Sequence, residues 1–241
     1  TYINDISAKY IVMMHGNTAA NIDLREAIRG HLASGAEITA ICTDTVLDYK
    51  HHRYIVDADG FARRMIFNQI ADGEGAASLE AYIISKQLLL DMMKACAAAN
   101  RYHFHRDAIA DYLADGGKIN VYFHRGYGKR IMSTEAFFNA NMDMLSSANR
   151  AELFPTDRPV RTKTHEDVST YYAEGSSAHN SLVADGCIIE GKIENCIISS
   201  DVRIHKGAKL SGCVIMRGTE LGEGVIMKNV IADKQSSVSP F

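Results

Sequence analysis

The sequence lacks the features that would place the protein in a membrane, on nucleic acid or outside the cell. No apolar run is long enough to span a bilayer. The net charge of −3 gives no reason to expect binding to nucleic acid or to an anionic membrane. The five cysteines show no disulfide-framework spacing, which favours a reducing compartment. We therefore expect a cytoplasmic protein with neither a nucleic-acid nor a membrane partner.

Proline is also scarce, and its position divides the chain. Only three prolines are present, and two of them, Pro155 and Pro159, lie close together. Because proline has no amide donor and breaks helices, the surrounding stretch, 147–175, is predicted to be a linker. The sequence thus predicts an α/β domain over 1–146 and a repeat domain over 176–241.

The ends of the sequence suggest a fragment. The chain begins at Thr1 and soon enters an apolar segment, Tyr10 to Met14, that is typical of a buried strand. Domains seldom begin on a core strand, so we expect an N-terminal part to be missing. The chain stops at Phe241, soon after the last repeat, which leaves truncation at that end open as well.

Strand-like and helix-like segments alternate before residue 147. Strands are predicted at 10–14, 38–42, 82–84 and 119–123, and helices follow most of them. Asp23, Ser85 and either Ser133 or Thr134 are placed to cap helices at their N-termini. This β-α-β-α order indicates an α/β domain with a largely parallel sheet.

Aliphatic residues recur every five or six positions in the C-terminal part, a period typical of neither a helix nor an amphipathic strand. They are Leu182, Ile188, Ile193, Ile198, Ile204, Leu210, Ile215, Leu221, Ile226 and Ile231. Every third one lies 16 or 17 positions further on, with glycines between them. A triangular solenoid has this period. The sequence therefore predicts a left-handed parallel β-helix, with Ile204, Leu210 and Ile215 pointing inward.

The α/β half lacks carboxylates where Mg²⁺-dependent phosphoryl transfer would need them, beyond the carboxyl ends of strands. Asn17, after the first predicted strand, is neutral, and Arg130, after the last, is cationic. Asp23 is interpreted as a helix cap. The pairs His51-His52 and His103/His105 have no cysteine or carboxylate at ligand spacing. No metal site is predicted.

Eight stretches carry a family resemblance: Tyr10 to Asn17, Asn21 to Asp23, His31 to Thr39, Tyr82 to Lys86, His103 to Asp107, Gly126 to Asp143, Arg158 to Lys163 and Asn180 to Gly191. Together they resemble the bacterial ADP-glucose pyrophosphorylases, or glucose-1-phosphate adenylyltransferases. The resemblance implies a Rossmann-like α/β nucleotidyltransferase domain, truncated at its N-terminus, followed by the left-handed β-helix. It also places Ser78, Phe104 and Tyr127 at positions that bind the sugar phosphate.

The chain departs from the family's motifs at its metal and substrate contacts. The resemblance implies aspartate where Asn17, His103 and Arg130 stand, and a Glu-Lys-Pro motif within the stretch that holds Ile66 to Ile70. In active members the aspartate at position 17 holds the catalytic metal. The chain is therefore most like the catalytically weak regulatory subunit that forms a heterotetramer with an active one. This implies no cofactor bound here, with Mg²⁺ and ATP in the active partner.

Three functions remain open from the sequence. The first is a regulatory subunit of glucose-1-phosphate adenylyltransferase in glycogen biosynthesis, weak or inactive alone, which assembles with a catalytic subunit or with itself. The second is a competent enzyme with altered metal ligands that makes ADP-glucose and diphosphate from ATP and glucose 1-phosphate. The third is a hexapeptide-repeat acyltransferase, for which His205 beside the coils is the candidate base.

Overall fold

The computed structural model describes residues 2–44, 51–69, 74–162 and 167–239, without the side chains of residues 68 and 69. Ile70, the last residue of the stretch compared with the Glu-Lys-Pro motif, lies outside the described residues. The chain forms two compact units, Thr1–Met132 and Ser133–Phe241. The division lies before residue 146, where the sequence analysis ended the α/β domain. None of the described helices is long and apolar enough to cross a membrane.

Where its residues are described, the first unit combines short helices with a six-stranded mixed sheet. Its helices are α1 (Tyr2–Asp5), α2 (Leu24–Ser34), α3 (Lys86–Ala98) and α4 (Ala110–Ala114), and a π-helical segment spans Phe104–Ile109. Its strands are β1 (Tyr10–Met14), β2 (Thr18–Ala20), β3 (Ile38–Thr43), β4 (His51–Val56), β5 (Ala62–Gln69), β6 (Ala76–Ser85), β7 (Ile119–His124) and β8 (Gly128–Arg130). The main sheet has the order β5-β4-β6-β3-β7, with β1 also paired to β6, and β2 pairs with β8 separately.

The expectation of a largely parallel sheet is wrong for the described strands. Only β3 and β7 run parallel, whereas β6 is antiparallel to β1, β3 and β4. The direction of β6 was not evident from its sequence. Nine of its ten residues are buried, so the strand is largely apolar, as the strands of a parallel sheet are. In addition, β4 and β5 form a hairpin whose turn is closed by hydrogen bonds to the Asp57 carboxylate.

The predicted N-caps are confirmed. The Asp23 carboxylate accepts hydrogen bonds from the backbone amides of Arg25 at 3.0 Å and Glu26 at 3.3 Å, at the start of α2. Ser85 caps α3. Ser133, rather than the alternative Thr134, caps the helix that follows it. Each cap satisfies amides that the first helical turn leaves without partners.

The Asp23 cap gives a first testable prediction. Asp23→Ala is expected to lower the free energy of unfolding by about 1 kcal/mol, because two helix amides lose their acceptor. Chemical denaturation checks this value. Asp23→Asn is the matched control, since asparagine caps helices about as well as aspartate. Equal losses in both variants would show that the cap does not act as described.

The described part of the second unit contains two helices and the repeat strands. The helices are α5 (Thr134–Asp143) and α6 (Ser147–Leu153), and the strands are β9 (Tyr171–Tyr172), β10 (Ser177–His179), β11 (Leu182–Val183), β12 (Ile188–Ile189), β13 (Lys192–Glu194), β14 (Ile197–Ile198), β15 (Arg203–Ile204), β16 (Lys209–Ser211), β17 (Val214–Ile215), β18 (Glu220–Leu221), β19 (Ile226–Lys228), β20 (Ile231–Ala232) and β21 (Ser237–Val238). Every third strand pairs in parallel, which gives three sheets: β10-β13-β16-β19, β11-β14-β17-β20 and β9-β12-β15-β18-β21. The predicted parallel β-helix is confirmed.

The repeat prediction finds the core but misplaces four of its ten inward residues by one position. Ile193, Ile198, Ile204, Leu210, Ile215 and Leu221 are buried as predicted. The register aligns Val183 with Ile198, Ile189 with Ile204, Leu210 with Met227 and Ile215 with Ala232. Leu182, Ile188, Ile226 and Ile231 are thus the outward neighbours of the core residues, and Ile226 is 75% exposed. Adjacent apolar residues in these strands hid which of the two faces inward.

One corner of the solenoid is a column of residues in the left-handed conformation. Asn180, Asn195, Gly212 and Asn229 have φ of 42°, 53°, 61° and 54°. Asparagine and glycine tolerate this region because their side chains are short or absent. The Asn180 side-chain amide donates to the Asn195 side-chain oxygen at 2.6 Å. The corner therefore repeats its chemistry from coil to coil as its strands do.

Candidate functional site

Glu80 is a charged residue in β6, of which nine of ten residues are buried. Ile41 of β3 pairs with Ala81, but Cys42 pairs with Ser78, so β6 contains a bulge at 79–80. Glu80 has φ of 51°, which is uncommon for a residue other than glycine. Its backbone amide donates to the Ser78 hydroxyl at 3.0 Å. Bulges commonly re-aim a side chain beside a functional site.

Four cationic or imidazole side chains converge on the Glu80 carboxylate. Arg130 forms an ion pair with Oε1 through Nη1, and its side chain is only 5% exposed. His52 Nδ1 lies 3.5 Å from the same oxygen. The other oxygen, Oε2, lies 3.0 Å from His105 Nε2 and 3.3 Å from His15 Nε2. The carboxylate is therefore surrounded on both oxygens.

A tyrosine hydroxyl links two of these histidines through ring nitrogens that do not contact Glu80. The Tyr82 hydroxyl lies 3.0 Å from His52 Nε2 and 3.0 Å from His105 Nδ1. The Tyr54 hydroxyl follows at 3.2 Å from that of Tyr82. We call the group formed by the carboxylate and its neighbours the Glu80 cluster, which comprises His15, His52, Glu80, Tyr82, His105 and Arg130.

Distant parts of the sequence supply the Glu80 cluster. His15 directly follows β1, His52 lies in β4, His105 lies in the π-helical segment and Arg130 ends β8. π-Helical turns are rare and often occur at functional sites. Because the members come from separate elements, the site has no local sequence motif by which it could be recognised.

Electrostatics keep the carboxylate charged and two of the imidazoles neutral. Burial alone would raise the pKa of Glu80, but hydrogen bonds from His105 and His52 and the charges of His105 and Arg130 hold it well below its usual range. Burial lowers the pKa values of His52 and His15 and outweighs the attraction of Glu80. At neutral pH, His15 and His52 are therefore neutral imidazoles beside an ionised carboxylate.

The two positions that the family resemblance links to metal binding lie next to each other. Thr18 of β2 pairs with Arg130 of β8, and the Ile131 amide donates to the Asn17 carbonyl at 2.7 Å. The Asn17 side-chain amide donates to Met132 Sδ at 2.9 Å, and its buried Oδ1 has no hydrogen-bond partner. Arg130 thus belongs to the Glu80 cluster, and Asn17 lies beside it.

Of the three positions assigned to sugar-phosphate binding, Ser78 and Phe104 contact members of the Glu80 cluster. Ser78 is fully buried and supports the Glu80 bulge. The Phe104 ring contacts Tyr82 edge-on at 5.9 Å between ring centres. Tyr127 is buried between β7 and β8, where its carbonyl accepts a hydrogen bond from His124 Nε2 at 3.1 Å. Their role in ligand binding stays a prediction.

His205, the base that an acyltransferase would use, lies between two carboxylates on the solenoid. Its Nε2 is 2.7 Å from Glu220 and its Nδ1 is 3.5 Å from Glu190. The hydrogen bond to Glu220 raises the pKa of His205, and both carboxylate charges act in the same direction. A carboxylate beside an imidazole also occurs at general bases, so this environment does not discriminate between the acyltransferase hypothesis and a surface ion pair.

The chain is similar to known proteins in the solenoid and over nearly its whole length. Residues 165–241 match the family model described as "GlmU-like, C-terminal hexapeptide". The glucose-1-phosphate adenylyltransferase of Corynebacterium jeikeium is 26% identical, with 98% of this chain and 64% of that protein covered. The glycogen biosynthesis protein GlgD of Bacillus subtilis is 27% identical, with 98% of this chain and 60% of that protein covered. The glucose-1-phosphate adenylyltransferase of Bacillus anthracis is 21% identical, with 97% of this chain and 63% of that protein covered.

The predicted family resemblance is confirmed. Both kinds of relative, the glucose-1-phosphate adenylyltransferases and GlgD, match over nearly the whole chain. The chain spans 60–64% of the length of these relatives.

The Mg²⁺ ion implied by the resemblance does not fit the residues at this centre. Magnesium prefers near-octahedral oxygen ligands, usually with one or two carboxylates. Within the Glu80 cluster the only carboxylate is Glu80 itself, which is ion-paired with Arg130 and contacted by imidazoles. Asn17 adds a single neutral oxygen. This set lacks the several oxygen ligands that Mg²⁺ prefers, so we derive no catalytic step through Mg²⁺.

Proposed function

We propose that the chain is a regulatory or modulatory subunit of glucose-1-phosphate adenylyltransferase in glycogen biosynthesis, inactive or weakly active by itself. The ion pair between Arg130 and Glu80 carries this proposal. Arg130 stands where the resemblance implies an aspartate, and its strand runs beside Asn17, the other such position. The similarity to GlgD, named as a glycogen biosynthesis protein, agrees with a role in that process.

The charge balance explains why activity should be low. A metal-dependent adenylyltransferase uses Mg²⁺ to neutralise the phosphates and stabilise the charge that develops in the transition state. Arg130 supplies one positive charge but is turned towards Glu80, so its charge is already compensated inside the protein. Loss of a metal-bound contribution should cost several kcal/mol in the barrier, and each 1.36 kcal/mol is about tenfold in rate.

The proposed partner is a catalytic glucose-1-phosphate adenylyltransferase subunit in a heterotetramer, with a second copy of this chain as the alternative. ATP and Mg²⁺ would then act in the active partner. We also propose a cytoplasmic location, because all five cysteines are free thiols and four of them are buried in apolar surroundings.

Enzyme assays with matched variants test this proposal. The purified protein alone should make little or no ADP-glucose, and adding a catalytic subunit should restore or raise activity. The double change Asn17→Asp with Arg130→Asp should bring back a measurable Mg²⁺ dependence, though not the full rate, because the Glu-Lys-Pro motif is still missing. Each single variant is the control, since it supplies only one of the two aspartates, and circular dichroism verifies folding because Arg130→Asp also removes the ion-pair partner of Glu80.

The same assays discriminate the alternative of a competent enzyme with altered metal ligands. Robust Mg²⁺-dependent ADP-glucose synthesis by the unmodified protein alone would show that the proposal is wrong. A lack of any association with the catalytic subunit in analytical ultracentrifugation, together with unchanged activity of that subunit, would also contradict it.

A further inference from the structure

Three ligand atoms in the Glu80 cluster form a nearly equilateral triangle. His15 Nε2 and His105 Nε2 are 3.1 Å apart, His105 Nε2 is 3.0 Å from Glu80 Oε2, and His15 Nε2 is 3.3 Å from the same oxygen. Zinc binds histidine nitrogen at about 2.0–2.1 Å and carboxylate oxygen at about 2.0–2.2 Å, so neighbouring ligands of a tetrahedral site are about 3.3–3.5 Å apart. The triangle is therefore within a few tenths of an ångström of one face of a zinc tetrahedron.

The hydrogen bonds behind the triangle are compatible with ligation through Nε2. A ring that ligates through Nε2 carries its proton on Nδ1, and His105 Nδ1 can donate that proton to the Tyr82 hydroxyl at 3.0 Å. Tyr82 can in turn donate to His52 Nε2 at 3.0 Å, and His52 Nδ1 faces the second oxygen of Glu80 at 3.5 Å. Such outer contacts fix the tautomer and orientation of metal ligands.

Access and protonation also suit a metal ion. The His15 side chain is 49% exposed, whereas those of His105 and Glu80 are 20% and 10% exposed, so the triangle opens to solvent on the His15 side. Burial lowers the pKa of His15, which favours the neutral imidazole that ligation requires. Protons therefore compete weakly with a metal at neutral pH.

We propose that His15, His105 and Glu80 form a transition-metal site that binds Zn²⁺ or a similar divalent ion, with its fourth position open to water or a ligand. Two imidazoles and one carboxylate are a ligand set for zinc and related ions, whereas Mg²⁺ and Ca²⁺ prefer oxygen ligands alone. The site would use Oε2 of Glu80 and leave Oε1 with Arg130 and His52. It goes beyond the regulatory role proposed above and does not depend on it.

Arg130 sets the expected strength of this site. Its guanidinium neutralises part of the Glu80 charge and lies near the metal position. Both effects weaken the attraction for a divalent cation. The open position and the nearby arginine would together favour an anionic fourth ligand, such as a phosphate or carboxylate group.

Zinc titration of the purified chain tests the site. We expect one Zn²⁺ per chain in a competition assay with a chromophoric chelator at neutral pH. His15→Ala should weaken binding by about 100-fold or more, because loss of even an outer-shell partner costs about 10–100-fold. Tyr82→Phe removes only such an outer partner and should weaken binding by about 10–100-fold.

His179→Ala is the matched control, since His179 is an exposed histidine on the solenoid and should leave zinc binding unchanged. Circular dichroism verifies that each variant is folded, and the half-exposed His15 can be truncated with little loss of packing. Absorption by bound Co²⁺ should show the strong visible bands of four-coordinate cobalt and lose them in His15→Ala. Absence of stoichiometric zinc binding, or equal affinity of wild type and His15→Ala, would overturn the proposal.

Discussion

Leu210→Asp is expected to destabilise the solenoid by at least several kcal/mol. Leu210 is 3% exposed at the centre of β16, where it aligns with Ile193 in the preceding coil and Met227 in the next. A carboxylate in this apolar column has no partner, and burying it costs at least several kcal/mol. Domains of this kind are stable by about 5–15 kcal/mol in total, so the loss is a large share of the available stability.

Thermal denaturation followed by circular dichroism measures the effect. Since 1 kcal/mol shifts the melting temperature of a protein of this size by about 2–4 °C, a fall of about 10 °C or more is expected. Lys209→Asp is the matched control, because Lys209 is the exposed neighbour in the same strand and surface changes usually stay within about 0.5 kcal/mol. Wild-type thermal stability of Leu210→Asp would contradict the inward placement of this residue.

The solenoid was predictable because its signal is repeated along the chain. Each inward residue recurs at the same place in the next coil, so a period estimated from many residues tolerates errors at a few of them. The errors arise where two apolar residues are adjacent, as at Ile188-Ile189 and Ile231-Ala232. At such pairs the strand register determines which of the two residues faces inward. Aligned residues of neighbouring coils are 15 positions apart between Ile189 and Ile204 but 17 apart between Ile204 and Leu221. A single averaged period cannot resolve that difference.

The Glu80 cluster was not predictable in the same way. In the sequence, His52 and His105 each stand close to another histidine, and neither pair has a carboxylate at ligand spacing. The fold instead brings both to Glu80, together with His15 and Arg130. One signal was available, because a lone glutamate in an otherwise uncharged buried strand requires partners. That signal identifies Glu80 but not which residues surround it.

Arg130→Met is expected to destabilise the first unit by about 3–5 kcal/mol at neutral pH. The change removes the guanidinium that pairs with Glu80 Oε1 and leaves a buried carboxylate without it. Equilibrium denaturation with urea measures the loss. Combining Arg130→Met with Glu80→Gln should recover much of it, because the double variant no longer buries an uncompensated charge. Glu80→Gln alone completes the double-mutant cycle and gives the coupling energy between the two side chains.

The pH dependence separates an electrostatic cause from a loss of packing. In the wild type the pKa of Glu80 is lowered on folding, so its contribution to stability is present above the ordinary value of 4.5 and is lost as the pH falls below it. In Arg130→Met the pKa of Glu80 should rise, because one of the charges that holds it down is gone. The destabilisation should therefore be largest near neutral pH and shrink as the carboxyl group becomes protonated. If the difference between wild type and variant stays constant from neutral to acidic pH, Arg130 stabilises the fold by packing, and the ion pair with Glu80 does not have the role assigned to it.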